Sequence, residues 1–224
     1  MMKGMGGWLQ HFAWIAAMGA ALGADTDPRE IVRQAMLNDE RPAVEYNFVE
    51  RLRTSDLGGG AVSTRTRQMH LSDFQRRREK FRKAIREIPD AFIFRLAGEE
   101  NVNSRPAYVI EATPRPGYQP VDRYSRLFTQ LRGKLWIDKS DCRWARIEAE
   151  LLDTVTFGWV LVRIHEGSRV RMSQQRMDDG AWVPDQMWYR ISMRVGLVKL
   201  LGAETEVNYG DYRLSSSTET LQAP

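Results

Sequence analysis

Alternation constrains this chain more than any other feature. From residue 46 onward, apolar side chains recur at every second position: Tyr46, Phe48 and Leu52; Phe92, Phe94 and Leu96; Tyr108, Ile110 and Ala112. Leu135 and Ile137, Ile147 and Leu151, then Val160, Val162 and Ile164 continue the pattern. A period of two sends successive side chains to opposite faces of a pleated strand, so each segment has one apolar face and one polar face. Turn residues separate the segments. Asn101–Arg105, Glu166-Gly167 and Asp179-Gly180 read as turns, and Gly58-Gly59-Gly60 as a hairpin tip. Val170–Met177, Trp182–Val195 and a last strand from about Ala203 to Arg213 complete the series. Gly196 and Gly202 flank an apolar patch expected to bend or bulge the penultimate strand. Pro114–Pro120 breaks the alternation as an extended loop. The reading is a mainly β (α+β) chain of about ten or eleven antiparallel strands.

Two segments carry helical spacing instead. Asp27-Pro28-Arg29-Glu30 combines an N-cap, a proline at the first helical position and an acid at the third, ahead of Ile31, Val32, Ala35 and Met36. The second helix is expected from a cap at Ser72, with Gln75 completing a capping box, to Ile88 before Pro89. Phe74, Phe81, Ile85 and Ile88 line its apolar face, as a lid over a sheet would require. Its other face is basic: Arg76, Arg77, Arg78, Lys80, Arg82, Lys83 and Arg86. Those side chains either stay solvated above a packed helix or contact an anionic surface.

Groups able to do chemistry are sparse. His70 and His165 fall in different elements without metal-ligand spacing, and His165 reads as an exposed turn residue. There is no nucleophile elbow and no phosphate-binding glycine loop. Cys142 is the only cysteine, so no internal disulfide can form, and it reads as an incidental surface thiol. The paired acids Glu99-Glu100 and Asp178-Asp179 sit at turns, where solvation is the default. No catalytic group, metal site or cofactor is expected, and the reading is not an enzyme.

The first residues point to export. Lys3 is the only charge before Asp25, Phe12–Leu22 is an apolar run, and Ala21-Leu22-Gly23 supplies small residues. This is the order of a secretory signal, 1–24, with cleavage near Gly23 or Ala24. A membrane anchor is the other reading, but spanning takes about 20 apolar residues, and Gln10 and His11 interrupt this run. Residues 25–224 are expected to form one domain in the periplasm. Without Lys3 the formal charge of +4 becomes +3, a modest excess, and export makes nucleic acid a poor partner.

Gly133-Lys134-Leu135-Trp136-Ile137-Asp138 followed by Arg146-Ile147-Glu148 resembles a pattern of the LolA/LolB-like superfamily of periplasmic outer-membrane lipoprotein-sorting carriers. The Asp179–Pro184 segment and the closing Tyr209–Arg213 are also similar to these proteins. The resemblance implies a strongly curved antiparallel sheet, an unclosed half-barrel, with helices over its concave face and an apolar cavity for acyl chains of lipids or lipoproteins. The cavity would be lined by Tyr46, Phe48, Phe92, Phe94, Tyr108, Ile110, Leu135, Ile137, Ile147, Val160, Val162, Met187, Tyr189, Ile191 and Met193. Such a carrier can also have an envelope protein partner. The alternative is a non-catalytic envelope module in peripheral contact with anionic surfaces through the basic helix. N-terminal sequencing of the exported chain is expected to begin at Ala24 or Asp25, whereas an intact Met1 on a membrane-bound product would mean an anchor.

Overall fold

The computed structural model describes residues 27–39, 45–58, 60, 62–157, 162–196 and 199–215. The export segment and Val160 lie outside the described residues, as do the side chains of Phe74 and Arg78. In chain order the elements are α1 (Pro28–Asp39), β1 (Tyr46–Asp56), β2 (Val62–His70), α2 (Leu71–Glu79), α3 (Arg82–Arg86) and α4 (Ile88–Ala91). These lead into β3 (Phe92–Val102), β4 (Arg105–Pro114), a 3-10 helix (Ser125–Gln130), β5 (Leu131–Asp138) and β6 (Trp144–Leu151). The chain ends with β7 (Val155–Phe157), β8 (Val162–Ile164), β9 (Arg169–Arg176), β10 (Trp182–Val195) and β11 (Lys199–Leu214).

All eleven strands join one antiparallel sheet in the order β2-β1-β11-β10-β9-β6-β5-β4-β3, with β7 on β8 and β8 on β10. The path ends on β2 and β3, which do not pair, so the sheet is unclosed, as expected. Cross-strand partners keep the alternation in phase from edge to edge. Leu96, Ile110, Leu135, Ile147, Met172, Met187, Val207 and Leu52 form one continuous row across eight strands. On the opposite face, Arg95, Glu111, Lys134, Glu148 and Arg171 are neighbours in the same register, with alternating sign. Opposite charges on adjacent strands stabilise that pairing, and like charges in a slipped register would oppose it.

Helix α1 forms as its capping residues predict. Asp27 Oδ1 accepts from the Arg29 amide at 2.9 Å, and the Asp27 carbonyl accepts from Ile31 at 3.1 Å. Ile31, Val32 and Ala35 are buried against Phe92, Ile110, Ala112, Leu135, Ile137 and Trp144. Burying the two larger side chains contributes about 2 kcal/mol each, more than the helix could supply alone.

The basic segment departs from expectation. It is three short helices, not one from Ser72 to Ile88, and α2 starts at Leu71 directly after β2. Ser72 is no cap; its amide donates to Glu45 Oε1 at 3.1 Å. Arg76 and Lys80 stand four residues apart, as do Arg82 and Arg86, and such like-charge pairs weaken a continuous helix. The break also frees Glu87 to hold the proline-rich loop. Its carboxylate accepts from the Tyr118 hydroxyl and from the amides of Val121 (3.0 Å) and Asp122 (2.8 Å). Burial would raise the Glu87 pKa, but these hydrogen bonds outweigh it and lower it.

Two of the expected turns form and two features differ. Asn103 and Ser104 both have positive φ, 49° and 63°, and close β3–β4 as a two-residue turn. Asp179-Gly180 closes β9–β10 as read, with the Met177 amide donating to the Ala181 carbonyl at 2.7 Å. Glu166-Gly167 does not close a hairpin: β8 and β9 both pair with β10, end to end, and the turn at Gly167 (φ 73°) interrupts what would be one strand. Nor does Gly196–Gly202 bulge a strand; β10 ends at Val195, Gly196 has φ 65°, and β11 starts at Lys199. His165 is half-buried, not exposed, because that turn is folded against β10, where its amide donates to the Ser192 carbonyl at 2.8 Å. Cys142 is likewise half-buried against the cluster under α1, and burial raises its thiol pKa, so it is not a surface thiol.

Asp138 ties the centre of the sheet to a turn. Its carboxylate takes Arg105 Nε at 2.7 Å and Nη2 at 2.9 Å, and the amides of Ser140 and Asp141 at 3.0 and 2.8 Å. Burial would raise its pKa; Arg105 and the two amides outweigh that and lower it. A depressed pKa means the folded state resists protonation, so this contribution is present above the unfolded value near 3.9 and lost as pH falls through the folded value. Asp138→Asn should lower stability at pH 7 by about 2–3 kcal/mol and flatten its acid-side decline, measured by denaturant unfolding between about pH 2 and 7.

Candidate functional site

The apolar face of the sheet is covered unevenly. At the β3–β5 end, α1 and the 3-10 helix close over it, and Phe128 meets Phe92 with ring centroids 5.3 Å apart. At the β1 end a second cluster joins Tyr46, Phe48, Met69, Leu71 and Val183, with Tyr209 and Tyr212 packed against it. Phe48 lies 5.8 Å from Tyr209 and 5.3 Å from Tyr212, ring to ring. The Tyr46 hydroxyl donates to Asp179 at 2.6 Å, and Tyr212 donates to the Pro184 carbonyl, so the cluster's polar tips are satisfied. Hydrogen bonding to Asp179 and burial push the Tyr46 pKa up to about 12.

The candidate residues therefore divide. Phe92, Ile110, Leu135 and Ile137 are buried beneath α1, with Phe94, Tyr108 and Ile147 half-buried beside them. Tyr46 and Phe48 are buried in the second cluster. Met187, Tyr189, Ile191, Met193 and Val162 belong to neither and are half-buried, like Leu52 and Met172 on the same face. Farther along the same hairpin, Val195, Leu201 and Leu200 are 39, 40 and 68 % exposed. A half-buried apolar lane thus runs over β9, β10, β11 and β1 between two packed clusters. Of the proposed lid residues, Ile88 packs into the α1 cluster and Ile85 is half-buried. Phe81 is 39 % exposed and stacks edge-on against Tyr124 at 4.9 Å, away from the sheet.

Glu50 is the residue that sequence reasoning missed. It has the phase of Tyr46, Phe48 and Leu52, so the pleat carries its carboxylate onto the apolar face, where its side chain is 4 % exposed. Arg77 Nη1 of α2 approaches Oε1 at 3.4 Å, and Arg67 Nη1 of β2 approaches Oε2 at 3.8 Å. The second distance is too long for a hydrogen bond, and Oε2 has no hydrogen-bond partner. Arg77 also donates to Met69 Sδ at 3.4 Å. The signal was legible: an acid in phase with three apolar residues of one strand.

Other basic residues of the segment face outward. Arg76 pairs with Asp73 at 3.3 Å and Arg82 with Glu79 at 2.8 Å, both exposed. Lys80 lies over the Phe81 ring at 5.4 Å, and Lys83 is exposed. On the polar face of the sheet, two open grooves of about 510 and 400 Å³ are walled in part by charged groups, Lys134, Glu148 and Arg171 in the first and Arg146, Arg171 and Glu206 in the second. Glu148 takes Arg171 at 2.8 Å and also Arg146; Glu150 takes Arg169 at 2.7 Å and Arg132 at 3.0 Å. Among the described residues no group of His, Cys, Asp and Glu could hold a metal ion, and no helix is long and apolar enough to cross a membrane.

No family model and no curated protein matches the chain. Solved structures do. A DUF1329 family protein from Desulfovibrio piger is 16 % identical, covering 88 % of this chain and 96 % of its own, at a TM-score of 0.39. A LolA superfamily protein from Nitrosomonas europaea is 15 % identical, with 86 and 95 % coverage and a TM-score of 0.37. A putative outer membrane lipoprotein-sorting protein domain from Vibrio parahaemolyticus is 14 % identical, with 86 and 94 % coverage and a TM-score of 0.38.

Arg77→Ala should cost about 1–2 kcal/mol of stability, because it strips the nearer cation from a buried carboxylate. Arg76→Ala removes only an exposed pair and should cost less than about 0.5 kcal/mol by the same denaturant titration.

Proposed function

We propose that this chain is an exported binding protein, not an enzyme, and that it holds acyl chains of lipids or lipoproteins on the apolar face of its sheet in the periplasm. One observation supports this above the rest: the half-buried lane of Leu52, Met172, Met187, Tyr189, Ile191 and Met193 between two packed clusters. A sheet with one packed half and one half-covered half has apolar surface left to bury. Each methylene laid on it contributes about 0.8 kcal/mol, so a chain of ten or so carbons is held without any directed bond. The residues under α1 supply the rigid wall, and the lane supplies the contact.

The export segment supports the location, since an acyl carrier is useful where water separates two membranes. The outward basic residues favour the alternative, contact with anionic surfaces, less strongly. Arg76 and Arg82 are paired with acids of their own segment, and Arg77 points to Glu50. An envelope protein partner remains compatible with this reading and would deliver or receive the ligand.

Mass spectrometry of lipid extracted from the purified protein is expected to show bound acyl species. Met187→Gln, on the lane, should weaken binding of a fluorescent long-chain probe by about tenfold, and Gln186→Glu, one residue away on the polar face, should leave it within about twofold. Equal binding by both variants would remove the lane from the site.

A further inference from the structure

The edge strand β2 carries two arginines on the face that is otherwise largely apolar. Met69 faces the second cluster, so Arg67 and Arg65, two and four residues away, project onto the same face. Register places Arg65 opposite Leu52 and Arg67 opposite Glu50. The row Met172, Met187, Val207 and Leu52 therefore ends at Arg65 on the edge strand. That row crosses three strand spacings, about 14 Å. Arg77 descends on the same end from α2. Arg77 and Arg67 approach the buried Glu50 carboxylate there, at 3.4 and 3.8 Å, Oε2 has no hydrogen-bond partner, and Arg65 lies two residues along β2 on the same face.

We propose that this end of the lane takes the anionic headgroup of an amphiphile whose chain lies along the half-buried Met172, Met187 and Leu52, across the buried Val207. The proposal rests on the acyl-binding reading above and adds the headgroup chemistry. Glu50 neutralises only part of the local charge, which leaves an excess of two positive charges among Arg65, Arg67 and Arg77. Planar guanidinium forks match phosphate or carboxylate oxygens, and a neighbouring apolar surface lowers the dielectric in which they act. Without ligand, Glu50 holds Arg67 and Arg77 near the sheet; with ligand, the anion supplies Arg67 with the hydrogen bond that Glu50, at 3.8 Å, does not. A cationic headgroup would meet net repulsion, and a zwitterionic one would gain little.

The test is calorimetric titration of the delipidated full chain, below micelle concentrations, with lysophosphatidylglycerol and lysophosphatidylcholine of one chain length. The anionic lipid is expected to bind at least about tenfold tighter, with the ratio shrinking at about 0.5 M salt. Arg65→Gln with Arg67→Gln should bring the ratio near one, and Arg65→Lys should keep most of it. Glu50→Gln, which removes the competing carboxylate, should raise the ratio. Equal affinities in the unmodified protein, or a ratio indifferent to the arginine changes, would overturn the headgroup assignment while leaving acyl binding standing. Failure of both lipids to bind would overturn acyl binding and this proposal with it. Displacement of the anionic lipid by inorganic phosphate at equal concentration would overturn it in favour of a small-anion site.

Discussion

Register is the constraint on which the rest of the molecule depends. Eleven strands contribute to one sheet, and a one-residue slip in any pair would carry a whole set of apolar side chains to the charged face. Both faces oppose that slip. Leu135, Ile147 and Met172 meet on one side while Lys134, Glu148 and Arg171 meet on the other, so a shifted strand would lose apolar contact and bring unmatched charges together. Exposed pairs are each worth little, on the order of 0–1 kcal/mol, but a ladder of them discriminates among registers more than it adds stability. The helices, the turns and the lane all take their places from this frame.

Coverage of the apolar face then decides what the sheet can do. Helix α1 lies at one end because its Ile31, Val32 and Ala35 find a matching surface on β3 to β5. Helix α2 enters directly from β2, so it stays over β1 and β2 at the other end. The long strands β10 and β11 extend beyond both clusters; Met187, Tyr189, Ile191 and Met193 of β10 stay half-buried there, beside the buried Thr205 and Val207 of β11. Glu50 marks the boundary of that stretch. A buried carboxylate is costly unless paired, and here its partners come from two different elements, the edge strand and the helix above it.

The segment from Gly133 to Asp138 shows how a motif can be entirely structural. At Gly133 an added Cβ would lie 3.4 Å from the Glu148 carbonyl, in the middle of the sheet. Leu135 and Ile137 enter the core under α1, while Trp136 turns to the polar face and donates to Glu100 at 2.8 Å. Arg146 stacks over that indole at 4.8 Å, and Asp138 binds Arg105 and its own turn. Each residue type answers a demand of the sheet, which explains the spacing without any catalytic role.

Local rules were enough for much of this. Alternation of Phe92, Phe94 and Leu96 or of Tyr108, Ile110 and Ala112 identifies strands because the pleat repeats every two residues, and Asp27-Pro28 identifies a helix start because the cap satisfies orphan amides nearby in sequence. The same rules stopped at the basic segment, where the break after Glu79 reflects charge repulsion combined with what Glu87 must reach thirty residues away. They stopped also at Glu166-Gly167, since whether a turn makes a hairpin depends on which strand lies beside it. Period and sign of charge are properties of neighbours along the chain, and the sequence alone determined the mainly β, one-sided sheet from them. Which part of the apolar face is packed by α1, which part stays half-open, and that Glu50 meets Arg67 and Arg77 there are properties of neighbours in space. Only the tertiary structure decided those, because helix placement and strand order join residues that no local pattern relates.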